Sequence, residues 1–301
     1  MLGFDQLPSS VLQAGAIFLS IIIEALPFVL IGSLISGFIE VFITPEKVLS
    51  LLPKNKILAI LFGTFIGFIF PSCECGIVPI VHRLLEKKVP NYTAIPFLVT
   101  APIINPIVLF ATYTAFGNSV LFALYRALGA ILVSVIVGII LGFYVKEPIL
   151  KECQISQHQH DYSQKTNWQK VGFGLFHAID EFFDTGRYLV FGCLFASLVQ
   201  VYIPTAVLTT IGHNPLSAIL LMMLLAFLLS LCSEADAFIG ASLLSSFGFA
   251  PVMAFLVIGP MVDVKNLLMM KHYFTGKFIF RFIASISIII LGYSLILGGL
   301  A

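Results

Sequence analysis

Long apolar runs alternate with short polar segments along almost the whole chain. A hydrocarbon core of ~30 Å is crossed by about 20 apolar helical residues, so each run is close to one crossing in length. The eight candidate transmembrane helices are Val11–Ile43, Ile57–Val81, Thr93–Phe116, Ser119–Val145, Arg187–Ile203, Pro215–Leu244, Ala250–Met270 and Phe278–Leu297. The pattern predicts an all-α polytopic protein embedded in the lipid bilayer.

One long polar stretch divides these runs four and four. It covers residues 146–170 and predicts a linker between a first transmembrane half, residues 1–145, and a second half, residues 171–301. The second half begins with a segment, Val171 to Thr185, in which phenylalanines alternate with His and acidic residues. This amphipathic pattern predicts a short interfacial helix lying on the membrane before the fifth span.

The two halves place a few unusual residues at matching positions. Cys73 and Cys232 are followed by a proline 29 and 28 residues later, and three residues further on by Asn105 and Asp263. This spacing predicts an internal duplication with broken helices at the centre, a common construction of transporters. Four spans in each half would make the repeat parallel, whereas a re-entrant segment would make it inverted.

Composition narrows the classes of function. Residues of the AVILMFWYC class make up 59% of the chain and charged residues only 10%, against roughly 25% charged residues in soluble domains. A soluble globular enzyme is therefore excluded. The net charge of +1 gives no indication of a nucleic-acid partner. The chain lacks the GxxxxGK[ST], HExxH and GxSxG motifs, so we expect no ATPase, no enzyme activity and no cofactor.

The string PSCECGIVP places Cys73, Glu74 and Cys75 deep in an apolar run. Residues i and i+2 point about 200° apart on an intact helix but share a side of extended backbone. The flanking prolines and Gly76 favour an interrupted helix, in which both thiols face one ligand. The alternative is a kinked helix with two packing cysteines, since free Cys behaves as a small hydrophobe, but this leaves Glu74 without a role.

A matching string, Cys232-Ser233-Glu234-Ala235-Asp236, lies in the second half. A central Asp costs roughly 2.5 to 3.5 kcal/mol on membrane insertion scales. Glu234 and Asp236 are therefore candidate functional residues, unless they lie at a helix end that faces water. Cys232 shares a face with Asp236 on a helix, and with both acids in extended backbone.

Asn105 and Asp263 mark two further candidate breaks. Pro106 follows Asn105 and removes a backbone donor, so free carbonyls and the Asn105 side chain become available to a polar solute. Asp263 has the same potential role, unless it is merely neutralised by Lys265, two residues later.

Three charged residues in other spans have less specific interpretations. Glu24, in the first span, is a candidate proton carrier or counter-charge, with a water-exposed position as the alternative. Arg126 and Arg187 lie near the starts of their spans. We expect both arginines to extend towards the lipid headgroups.

At PSCECGIVP, TAPIINP and CSEADAF the sequence resembles the predicted permease family of the arsenical-permease, or ArsP-like, type. The Cys-x-Cys-Gly-x-x-Pro pattern corresponds to Cys73, Cys75, Gly76 and Pro79, and the resemblance covers nearly the whole chain. It implies an eight-span permease of the cell membrane. It also implies a second, separately encoded permease subunit as a partner, and some relatives export trivalent arsenicals.

Thiolates select soft or borderline ions, so Cys73, Cys75 and Cys232 are candidate metal or metalloid ligands. The predicted substrate-binding residues are Cys73, Glu74, Cys75, Gly76, Asn105, Cys232, Glu234, Asp236 and Asp263. We expect a secondary transporter that exports a trivalent arsenical or a thiophilic metal ion, with these acids handling protons or balancing charge. The alternatives are a membrane dithiol redox protein that uses Cys73 and Cys75, and a structural subunit that anchors a partner.

Overall fold

The structure is a computed structural model, and it describes residues 9–44, 50, 52–70, 73–144, 149–151, 167–202 and 214–300. Apart from an isolated bridge between Leu150 and Phe274, the regular structure in these ranges is helical, which confirms the predicted all-α class. Most of the predicted linker, including Cys153, lies outside the described residues.

Both halves have the same order of helices. The helices of the first half are α1 (Ser9–Phe42), α2 (Lys56–Ile66), α3 (Glu74–Glu86), α4 (Asn91–Ile104), α5 (Pro106–Ala115) and α6 (Val120–Phe143). Those of the second half are α7 (Asn167–Tyr202), α8 (Pro215–Leu229), α9 (Ser233–Phe247), α10 (Phe249–Ile258), α11 (Val264–Tyr273) and α12 (Gly276–Leu300). Within the described residues, each half therefore contains a long helix, two pairs of short helices and a second long helix.

Length and apolar composition identify the membrane crossings. The candidate spans among the described residues are α1, the α4–α5 pair, α6, α7 and α12, and α2, α8 and α10 are shorter apolar helices. The predicted total of eight crossings stays a prediction, as does the internal duplication. A duplication would give both halves the same order of helices. It would make α3 equivalent to α9 and α5 equivalent to α11, so the contact of α3 with α11 and the contact of α5 with α9 would be equivalent; both are present.

Each pair of short helices is a predicted span interrupted near its middle. The residue that precedes the second helix of each pair adopts a non-helical conformation: Cys73 before α3, Asn105 before α5, Cys232 before α9 and Asp263 before α11. Asn105 Oδ1 accepts a hydrogen bond of 2.9 Å from the Ile107 N–H, and Asp263 Oδ1 one of 2.5 Å from the Asn266 N–H. These two side-chain oxygens thus accept hydrogen bonds from N–H groups in the first turn, which have no partner within the helix.

Small residues allow α1 to pack closely between the two halves. A Cβ atom on Gly32 would lie 2.5 Å from the carbonyl oxygen of Gly76 in α3, and one on Gly37 would clash with the α7 backbone at Gly174. Close approach through glycines is the usual way in which membrane helices gain packing energy. Gly76, predicted to bind substrate, therefore occupies a helix-packing position.

The separate interfacial helix predicted for residues 171–185 is replaced by the first half of the continuous α7. Its polar residues Glu181 and Thr185 are buried against neighbouring helices, whereas Phe176 and Phe183 are 60% and 70% exposed. His177, Glu181 and Thr185 therefore point into the protein, whereas Asp180 and Asp184 are exposed together with the two phenylalanines. Glu181 and Thr185 have partners on α3 and α11.

Candidate functional site

A small cavity lies where α1 meets the breaks before α3 and α9. Its volume is about 30 Å³, enough for a water molecule or one small ion. The lining residues are Ile21, Glu24, Ala25, Phe28, Cys73, Glu74, Cys75, Ser230, Leu231, Cys232 and Lys265. The cavity therefore combines three thiols, two carboxylates and one ammonium group at the junction of the two halves.

The first-half side of the cavity is built by the start of α3. Cys73 is extended, with φ −80° and ψ 172°, and α3 begins at the next residue. This local geometry brings two thiols together, because the Cys75 thiol hydrogen-bonds the sulfur of Cys73. The break in the helix at PSCECG thus lies beside one cavity that both thiols line, and their role in binding a ligand stays a prediction.

A buried ion pair joins the two halves beside these thiols. The Lys265 ammonium lies 3.6 Å from Glu74 Oε1 and 3.7 Å from Asp263 Oδ2, and all three side chains are at most 2% exposed. The Ser233 hydroxyl donates a 3.3 Å hydrogen bond to Glu74 Oε2. One buried cation therefore lies between two buried carboxylates. With all three groups ionised, this cluster has a formal charge of −1.

Cys232 and Glu24 close the opposite side of the cavity. The Cys232 thiol donates a 2.6 Å hydrogen bond to Glu24 Oε1 and accepts one of 3.4 Å from the Ala235 N–H. Glu24 is exposed on α1, yet it lines the cavity. The carboxylate is thus the hydrogen-bond acceptor of the Cys232 thiol at the edge of the cavity.

Arg126 contradicts the expectation that it reaches the headgroups, because it is completely buried. Its guanidinium donates to Thr112 Oγ1 at 2.7 Å, to the Ser233 carbonyl at 2.9 Å and to the Leu256 carbonyl at 3.1 Å. The last four carbonyls of a helix have no intrahelical partner, and Arg126 satisfies one of these, the Leu256 carbonyl near the end of α10. A charged residue within a membrane span is a candidate functional residue, and this rule would have singled out Arg126 from the sequence.

The remaining predicted residues lie outside the cavity lining. Asn105 caps α5, and Asp263 reaches the cavity only through Lys265. Glu234 is half-buried at the start of α9. Asp236 is buried, and neither of its carboxylate oxygens has a hydrogen-bond partner among the described residues. Asp236 lies close to Gly259, since a Cβ atom added to Gly259 would be 2.5 Å from Asp236 Oδ2. Asp236 is therefore beside the break between α10 and α11.

The three-sulfur metal site stays a prediction. Within the described part of the chain, no group of three or more His, Cys, Asp or Glu side chains has an arrangement that could hold a metal ion. Cys73, Cys75, Cys193 and Cys232 are thiols rather than halves of a disulfide.

Comparison with known proteins decides the family. A family model described as a predicted permease, ArsP_1, matches residues 10–299. The chain belongs to this permease family. The permease is accordingly a multi-pass protein of the cell membrane, and its thiol-lined cavity lies inside the matched region. No solved structure matches it.

Two relatives match the permease over nearly its full length. One, from Streptococcus mutans serotype c (strain ATCC 700610 / UA159), is 67% identical over 98% of this chain and 98% of its own; it is named "Putative two-component membrane permease complex subunit". The other, from Bacillus subtilis (strain 168), is 50% identical over 97% of this chain and 99% of its own, and is named "UPF0718 protein YcgR".

Proposed function

We propose that this permease exports a small thiophilic solute, a trivalent arsenical or a soft metal ion, as a secondary transporter. The observation that supports the proposal is the cavity in which Cys73, Cys75 and Cys232 meet at the breaks of the two halves. Discontinuous helices near the bilayer midplane are where secondary transporters bind their substrates. Sulfur ligands favour soft ions over Mg²⁺ or Ca²⁺.

The charged residues around the cavity provide acceptors for the proton that is released when this solute binds a thiol. Binding of a metalloid to a thiol releases the thiol proton, since the thiolate is the ligand. Glu24 already accepts a hydrogen bond from Cys232 and is the nearest carboxylate to take that proton. Asp236 and Glu234 follow on α9, where Asp236 is buried without a hydrogen-bond partner in the part of the chain that the structure describes. In this mechanism protons and the solute exchange across the same junction.

We further propose that the permease works with a second subunit and is built from two related four-span halves. The name of the S. mutans relative describes a subunit of a two-component complex, and this chain matches that relative over nearly its whole length. The shared helix order of the two halves supports the second proposal.

Cellular accumulation of candidate solutes tests the transport proposal. Cells with and without the permease and its partner would be exposed to arsenite, methylarsenite, zinc and copper, and the solute retained in the cells measured. We expect lower accumulation of one solute in cells with the permease, and loss of that effect in Cys73→Ser/Cys75→Ser. Cys193→Ser is the matched control, because Cys193 is a buried thiol of α7 outside the cavity lining. Export that persists in the double variant would overturn the site assignment.

A dithiol redox function is the second candidate, and the contact between the Cys73 and Cys75 sulfurs favours it. It predicts a reversible disulfide between these residues. The solute-binding proposal predicts reduced thiols that the bound solute protects from alkylation. Mass spectrometry of the alkylated protein, purified with and without solute, separates the two.

A further inference from the structure

A second polar cluster lies at the other end of α3, away from the cavity. It joins four helices through the side chains of Glu40 (α1), His82, Arg83, Glu86 and Lys87 (α3), Glu181 and Thr185 (α7), and Tyr273 (α11). Glu74 and His82 are eight residues apart on α3, so the cluster is about 12 Å from the cavity along the helix. None of these residues lines the cavity.

Arg83 is the centre of this cluster. Its guanidinium lies 2.9 Å from Glu181 Oε2 and 2.8 Å from Glu86 Oε2, with Glu40 Oε2 at 3.9 Å. The Tyr273 hydroxyl hydrogen-bonds Glu181 Oε1 and lies 2.8 Å from Thr185 Oγ1. These contacts hold α3 of the first half against α7 and α11 of the second.

His82 differs from the other members of the cluster in its hydrogen bonding. It is 2% exposed, and neither of its ring nitrogens has a hydrogen-bond partner among the described residues. Its ring stacks on Tyr273 with centroids 4.3 Å apart, and its Nε2 lies 3.6 Å from Glu86 Oε1. A protonated imidazole carries two N–H donors, and Glu86 is the acceptor in reach of one of them.

Two apolar residues separate His82 from the cavity. On α3, Glu74, Val78, His82 and Glu86 follow each other at intervals of four and share one face. On α11, Lys265, Met269 and Tyr273 do the same. Val78 and Met269 are fully or almost fully buried between the two polar clusters. The cavity is therefore closed towards this end of the protein.

We propose that His82 is a proton-binding site whose occupation loosens the contacts that Arg83 makes between the two halves. A cationic His82 lies beside the Arg83 cation and repels it, which weakens the contact of Arg83 with Glu181 of α7. The charged or titratable groups around His82 are Arg83 and Glu86 on its own helix and His272 and Tyr273 on α11. Glu181 on α7 and Glu40 on α1 contact Arg83.

Hydrogen–deuterium exchange of the purified full-length permease in lipid nanodiscs tests the proposal without a solute. Amide exchange in residues 83–89 and 270–274 would be compared at about pH 7.5 and about pH 4.5, after correction for intrinsic rates; the lower value lies below the ordinary imidazole range because burial lowers the pKa of His82. We expect exchange at least about fivefold faster at the lower pH, since opening exposes these amides. Glu181→Gln, which removes the negative charge that Arg83 contacts on α7, should exchange fast at both pH values.

His82→Gln is the decisive variant, because glutamine keeps a polar side chain but binds no proton in this range. We expect it to exchange slowly at both pH values. His272→Gln is the matched control, at the neighbouring histidine on α11, and should respond to pH as wild type does. Unchanged size-exclusion profiles and thermal unfolding temperatures would establish that the two histidine variants are folded. The proposal is overturned if wild type shows no acceleration, if His82→Gln retains it, or if His272→Gln abolishes it. Each result holds whichever solute the permease carries.

Discussion

Removal of the Lys265 charge should destabilise the permease more than removal of either carboxylate that it contacts. At an effective dielectric constant of about 20, unit charges 3.6 Å apart attract by about 4.6 kcal/mol, and charges 3.7 Å apart by about 4.5 kcal/mol. The 3.6 Å and 3.7 Å separations are those of Lys265 from Glu74 and from Asp263. Lys265→Met removes both attractions and leaves two carboxylates buried without a cation.

The expected loss for Lys265→Met is about 3 to 5 kcal/mol in the free energy of unfolding, the usual result of breaking a buried pair. Glu74→Gln should cost less, because Lys265 keeps Asp263 as its partner. In the double variant, Glu74→Gln with Lys265→Met, the side chain at position 74 is uncharged. The loss of the Lys265 cation then leaves only Asp263 without a partner of opposite charge. The cost of the double variant should therefore be smaller than the sum of the two single costs by more than about 0.5 kcal/mol, roughly the limit of additivity.

Denaturation with increasing mole fractions of SDS in mixed micelles gives these free energies, and far-ultraviolet circular dichroism follows the helices. Arg187→Met is a control for the loss of a basic residue, since its ion pair with Asp184 is more than half exposed and such pairs contribute about 1 kcal/mol or less. Additive costs in the Glu74–Lys265 cycle would refute the conclusion that this pair links the two halves energetically.

Three further predictions use the yield of folded protein, the same denaturation assay and limited proteolysis. Gly32→Ala should sharply reduce the monodisperse fraction on size exclusion, because its Cβ would lie 2.5 Å from the Gly76 carbonyl oxygen, whereas Gly15→Ala has open space and should behave as wild type. Arg126→Met should cost about 3 to 5 kcal/mol because it strands buried acceptors; a cost below about 1 kcal/mol would contradict its structural role. Glu181→Gln should weaken the α3–α7 contact and increase proteolysis of the folded protein at the α3–α4 connection, and an unchanged digestion pattern would refute this.

Local sequence signals were sufficient for the helical class and for the positions of the breaks. A proline after Asn105 and a polar residue at Asp263 end one helix and cap the next through short-range bonds. The pairing of Cys73 with Cys75 follows from the same local change of backbone direction. These features depend on residues within one or two turns, which is why they could be predicted without knowledge of the fold.

Only the tertiary structure decided which polar groups meet. Hydropathy predicts that residues 171–185 form an amphipathic helix, but not whether its polar face meets headgroups or the buried Arg83. The same limit explains Arg126, whose carbonyl partners lie 107 and 130 residues away, and Lys265, whose partner Glu74 belongs to the other half. Such pairs depend on the register of helices that are distant in sequence. Periodicity therefore determined where the helices run and break, and packing between the halves determined the site.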